Sequence, residues 1–146
     1  MAPEHILYDL GGFIQEVDPF PTVQPQFTST TVIGSGPIER DKSFSNMLGL
    51  VIDELQLTSL SFRGSDVVTL AWDVDVCVGL SIIQRDGAVG VDALTWIHPM
   101  VRHCGLGTAM KAHAIHEAMR AGVEQLRGNA DVASIAFYGL LGIRPA

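Results

Sequence analysis

The sequence predicts one α/β (α+β) domain, a mostly antiparallel sheet flanked by helices, and three stretches carry that prediction. Residues 67–72, 76–84 and 88–98 are short runs rich in β-branched side chains, separated only by Asp73-Val74-Asp75 and Arg85-Asp86-Gly87. Strands joined by such tight turns form an antiparallel meander. Before them, Phe44, Met47, Leu48, Val51, Ile52 and Leu55 recur at i, i+3, i+4, i+7, i+8 and i+11 behind Ser43 as N-cap, the pattern of an amphipathic helix. After Pro99 the period is again helical: Met110, Ala114, Ile115, Ala118 and Met119 share one side, and His113, His116, Glu117 and Arg120 the other.

The remaining elements follow in order. Gly122 ends the second helix, a brief strand covers 123–126, and Gly128-Asn129 leads into a last apolar helix around 132–141. Five of the seven prolines lie within the first 37 residues and cut that part into short pieces, of which 12–17 and 26–33 have strand character. The expected organisation is an irregular segment over 1–42, a source of replacement strands, and a folded domain over 43–146.

Bulk properties exclude several classes. A chain of 146 residues with 47% apolar and 17% charged content is a globular protein with room for one core. Its apolar runs fall short of the ~20 residues that cross a bilayer, so no membrane association is expected. Glu4 and Asp9 at the start do not suit a signal peptide. With only Cys77 and Cys104 there is no disulfide framework, and a cytoplasmic location is expected. A net charge of −7 without a Lys/Arg cluster argues against a nucleic-acid partner. His113 and His116, with Cys104 nearby, read as residues of a solvated helix face, and no metal is expected.

The most informative stretch is Ile97-His98-Pro99-Met100-Val101-Arg102-His103-Cys104-Gly105-Leu106-Gly107-Thr108, a strand end, a turn and a helix start. Glycines there let a ligand approach the backbone, and the first amides of the helix have no intrahelical acceptor, so they favour a phosphate. The dinucleotide fingerprint fails because Met110 stands where a third glycine belongs, and no Gly-Lys-Ser/Thr follows.

Arg102-x-x-Gly105-x-Gly107, preceded by Ile97-x-Pro99, resembles the pyrophosphate loop of the GNAT N-acetyltransferase family. Asn129, then Ala136-Phe137-Tyr138-Gly139-Leu140-Leu141-Gly142-Ile143, is similar to a second motif of that family, and Asp75-Val76-Cys77-Val78-Gly79 to a third. The resemblance covers about residues 65–145. His103 and Cys104 stand where the family usually has glycine and often has arginine, which lowers the loop's flexibility and charge.

The resemblance implies a mixed, splayed sheet with acetyl-CoA in its cleft, and direct acetyl transfer to an amine on a small molecule or a protein. Arg102, His103, Cys104, Gly105, Leu106, Gly107, Thr108 and Asn129 would hold the cofactor, and the Ile97 amide would meet the thioester carbonyl. Tyr138 would be the general acid. For a base the residues offer Asp92 and His98, which share strand parity unless a bulge intervenes, and also Asp73 or Asp75, with a water chain as the alternative to any of them. Trp72 and Trp96 are candidates for the acceptor pocket wall. The competing reading is a degenerate domain that binds acyl-CoA or a partner without catalysis. Since the family continues with two more strands after the last helix, strand 123–126 is expected to be an open edge, covered by 12–17 and 26–33 or by a homodimer partner.

Overall fold

A computed structural model describes residues 4–13, 27–33, 41–60, 62–102 and 105–146. In chain order the elements are β1 (His5–Asp9), β2 (Phe27–Ile33), α1 (Asp41–Glu54), β3 (Val67–Asp73), β4 (Val76–Asp86), β5 (Val89–Ile97), α2 (Leu106–Arg120), β6 (Gln125–Asn129), α3 (Val132–Leu140) and β7 (Arg144–Pro145). The strands form a single mixed sheet in the order β2-β3-β4-β5-β6-β1-β7. Every neighbouring pair is antiparallel except β5 and β6, which run parallel.

Strand periodicity assigns the two faces. On one, Met47 and Val51 of α1 pack on Val68, Leu70, Trp72, Leu80, Ile82 and Trp96. On the other, Ala114, Ile115 and Ala118 of α2 meet Val67, Ile83, Leu126 and Tyr138. β3 and β4 alternate between the two clusters and are buried on both sides, which is why they read as nearly continuous apolar runs. Both tryptophans belong to the α1-side core, with Trp72 Nε1 donating to Thr30 Oγ1 at 2.9 Å. Ser43 lies inside α1 rather than capping it, and its hydroxyl accepts from the Cys77 amide at 2.8 Å, tying the helix to β4.

The expected open edge is covered within the chain, by a different segment from the ones anticipated. β1 lies antiparallel to β6, from His5 opposite Asn129 to Asp9 opposite Gln125. β7 then pairs with Tyr8 and Asp9 on the outer side of β1. The piece 26–33 does become a strand from Phe27, but at the far edge, against β3. Of the piece 12–17, residues beyond Phe13 lie outside the described part. Tyr8 and Leu10 are wholly buried in the α2-side core, so the N-terminal segment enters the same packing unit as the rest. No described helix is long and apolar enough to cross a membrane.

Candidate active site

The parallel pair β5 and β6 stays together for three residues only: Val89, Gly90 and Val91 opposite Gln125, Leu126 and Arg127. Beyond that the strands diverge, and β5 keeps β4 as its partner. The His98 amide donates to the Val78 carbonyl at 2.7 Å. Antiparallel rungs alternate, so the neighbouring pair Gly79–Ile97 is one without mutual hydrogen bonds, and the Ile97 amide points away from β4 into the opening beside β6.

The glycine turn stands at the mouth of this opening. Gly105 caps α2 with φ +86°, a left-handed conformation that a side chain rarely adopts, and no side chain among the described residues caps the helix start. The first hydrogen bond of α2 runs from the Ala109 amide to the Gly105 carbonyl, leaving the amides of Leu106, Gly107 and Thr108 without helical acceptors. A side chain at Gly107 would meet Ile97 Cγ1 at an ordinary 3.6 Å, so the fold itself has room there. Leu106 is buried against Phe27, Ala71 and Val78 and anchors the turn. His103 and Cys104 lie outside the described residues.

Arg102 does not face the helix start. Its Nη2 meets Glu54 Oε1 at 2.6 Å and its Nε donates to the Ile97 carbonyl at 2.7 Å. Glu54 Oε2 accepts from Trp96 Nε1 at 2.7 Å. The Arg102 hydrogen bond, then that from Trp96, holds the Glu54 carboxyl below the usual range. Glu54 therefore ties the end of α1 to the end of β5, a role with no local sequence signal.

At the apex, where β5 and β6 part, Tyr138 of α3 reaches across β6. Its hydroxyl donates to Asp92 Oδ2 on β5, and its ring packs against that of Tyr8, tilted by 44° with centroids 4.4 Å apart. Gly128 makes the crossing feasible, since a Cβ there would lie 2.7 Å from the hydroxyl. Burial, and then the charge of Asp92, hold the Tyr138 phenol far above its ordinary value. Asp92 Oδ1 accepts from Lys111 Nζ of α2 at 2.8 Å, and Lys111 also donates to Ser81 Oγ of β4 at 2.7 Å. Lys111 and Ser81 were absent from the candidates drawn from the sequence. The signal was there, because Lys111, Ala114, Ile115 and Ala118 stand at i, i+3, i+4 and i+7, the buried stripe of α2.

A bulge separates the two candidate bases. Ile82 pairs with Leu94 and Ile83 with Asp92, leaving Ala93 as the extra residue. Leu94 faces the α1 cluster while Asp92 faces α2. His98 follows Trp96 onto the α1 side, with ring centroids 5.9 Å apart. It lines a groove of about 690 Å³ together with Lys42, Asn46, Met47, Val76 and Cys77. His98 Nδ1 accepts from the Met100 amide at 3.1 Å, so in the neutral ring Nε2 carries the proton and is a donor. Asn129 ends β6 with its side chain exposed and its carbonyl taken by the Tyr8 hydroxyl. Asp131 caps α3, accepting from the Ser134 amide at 2.7 Å.

Cys77 closes the groove floor. Burial raises its thiol to about 11, opposed by backbone hydrogen bonding at Gly79. The thiolate is the reactive form, and at pH 8 such a group is ionised in about one molecule in a thousand. In a Cys104→Ser variant, an aromatic disulfide reagent at pH 8 should leave Cys77 unmodified while the fold persists and titrate it fully in denaturant. Rapid labelling of the folded protein would contradict this burial.

These features have counterparts among known proteins. The family model described as "Acetyltransferase (GNAT) family" matches residues 51–143, more than half of the chain. Among solved structures, a GCN5-related N-acetyltransferase from Kribbella flavida superposes with TM-score 0.65 at 16% identity, over 98% of this chain and 54% of its own. A tandem GNAT protein from the clavulanic acid biosynthesis pathway gives 0.63 at 17% identity, over 97% and 49%. An acetyltransferase from Trypanosoma brucei gives 0.60 at 18% identity, over 82% and 94%. The chain thus spans about half the length of the first two. Among curated proteins none matches it in sequence. The parting of β5 from β6, the glycine-led start of α2 and the family match over 51–143 agree: this chain belongs to the GNAT acetyltransferase family.

Proposed function

We propose that the chain moves an acetyl group from acetyl-CoA to an amine by direct transfer. One observation carries the reading: an opening between parallel strands has free helix-start amides at its mouth and a buried phenol at its apex. The pyrophosphate lies on the amides of Leu106, Gly107 and Thr108, where the helix dipole favours an anion. The pantetheine runs beside β5 from the mouth, where the Ile97 amide faces it, to the apex, where the thioester meets Tyr138. The amine nitrogen attacks the carbonyl carbon, the carbon–sulfur bond breaks, and the sulfur takes the Tyr138 proton. The nitrogen gives up its own proton to water, and solvent restores the phenol. Asp92 is occupied by Lys111 and Tyr138, and His98 Nδ1 by the Met100 amide, so neither of these acceptors is open to the amine's proton.

A homodimer is supported by the outer face of α3, where Val132 is 85% and Leu140 72% exposed, rather than by an open sheet edge. The alternative, a domain that binds acyl-CoA without transfer, has one observation in its favour: the single Tyr138 proton is directed to Asp92.

Calorimetric titration with acetyl-CoA tests the binding half of the proposal. Gly107→Val should weaken affinity about tenfold or more, because the branched side chain occupies the phosphate's approach while the fold accommodates it. Unchanged affinity in a folded variant would remove this site. Thiol release with a panel of primary amines then separates transfer from binding alone.

A further inference from the structure

Lys111 has no part in the scheme above, yet its burial is complete, whereas Lys42 is exposed. A methionine would fill the same space without needing partners, and a buried ion pair adds little stability over a well-packed apolar replacement. What Lys111 does supply is a charge beside Asp92, whose side chain is 9% exposed. A carboxylate that buried, left without its cation, takes up a proton and becomes a donor. It would then no longer offer Tyr138 an acceptor, and nothing else would aim the phenol across β6.

We propose that Lys111 is a positioning residue for Tyr138, acting through Asp92: the ammonium and Ser81 fix an ionised carboxylate on β5, and that carboxylate aims the phenol at the point where β5 and β6 part. Sharing of the Asp92 charge with Lys111 also weakens its hold on the phenol proton, so a thiolate arriving at the apex can compete for it. Ser81 from β4, Asp92 from β5, Lys111 from α2 and Tyr138 from α3 form the cluster. Tyr8 of β1 faces it through its ring, and Asp131 before α3 acts on Tyr8. The assignment rests on the acetyl-transfer reading.

The test compares the wild type with Lys111→Met, Asp92→Asn and the double variant. Infrared difference spectra need no acetyl-CoA. Lys111→Met should show a protonated carboxyl band that the wild type lacks and that is absent from the double variant. In the thiol-release assay, with the best amine of the panel, Lys111→Met should lose about tenfold or more in kcat at pH 7. The loss should shrink as the pH rises and Asp92 ionises, with the KM for acetyl-CoA changed by no more than about twofold. Asp92→Asn and the double variant should be equally slow, because Lys111 acts only through Asp92. If Lys111→Met does not fold, the neutral double variant replaces it, and its equality with Asp92→Asn supports the assignment. Absence of the carboxyl band in folded Lys111→Met, a pH–rate profile identical to that of the wild type, or additive losses in the double variant overturns it. A wild type inert toward every amine instead ends the acetyl-transfer reading and this assignment with it, and is recognised before any variant is compared.

Discussion

Tyr138→Phe should lower turnover by roughly 10² to 10⁴, the range expected when a positioned acid is lost, while the affinity for acetyl-CoA stays nearly unchanged. The ring is packed between Tyr8 and Phe137, and both contacts survive in phenylalanine. The hydroxyl is what disappears, and with it the donor to Asp92 Oδ2. Losing that donor leaves one oxygen of a mostly buried carboxylate unpaired, at a cost of about 1–3 kcal/mol in stability. The stability cost and the kinetic cost are separable. Thermal unfolding reads the first, and thiol release at saturating acetyl-CoA reads the second. Tyr8→Phe is the matched control, since it removes a hydroxyl bonded to the Asn129 carbonyl in the same core and leaves Tyr138 with its proton. Equal turnover for wild type and Tyr138→Phe, with chemistry limiting, would return Tyr138 to a packing role. A fall confined to acetyl-CoA affinity would make it part of the binding surface.

What the sequence allowed to be read follows from how local each signal is. The glycine turn and Tyr138 sit in short motifs whose residues act within a few positions of one another, so each could be matched to the GNAT family, and that resemblance implied one cleft for both. The meander and both long helices were legible for the same reason, as their periods repeat over many residues. Asp92 was legible as a candidate, but its surroundings were not. A single extra residue, Ala93, reverses strand parity and sends Asp92 to the α2 side while His98 stays with α1. Lys111 went unnoticed because a lysine among His113, His116 and Glu117 reads as part of a solvated face, although its spacing to Ala114 and Ala118 placed it on the buried one. Glu54 carries no periodic or motif signal at all, and its meaning comes only from Arg102 and Trp96, some 48 and 42 residues further on.

A chain beginning at Leu10, and so lacking β1, should fail to fold into the native sheet. β1 has five residues, too few for a period to stand out, and the contact that reveals it, Tyr8 with Asn129, spans 121 residues of sequence. Its loss would strip β6 of its antiparallel partner and β7 of the one strand it pairs with among the described residues. It would also remove the side chain of Tyr8, which lies at the centre of the α2-side core against Tyr138. Deleting a buried aromatic of this size costs about 3–5 kcal/mol by itself. Exposed backbone groups along β6 add to that, against a total of only about 5–15 kcal/mol for a domain of this class. The truncated chain should therefore sediment as aggregate and lose cooperative thermal unfolding, because the bared β6 edge is a template for pairing with other chains. The intact chain in the same run gives the reference, and a sedimentation coefficient of a dimer there would accord with self-association through α3. A synthetic peptide of residues 1–10 added during refolding should restore part of the cooperative transition, as β1 is held by hydrogen bonds and packing alone. A truncated chain that stays soluble and melts at the wild-type temperature would mean that β6 does not depend on β1, and the described sheet order would be wrong at that edge.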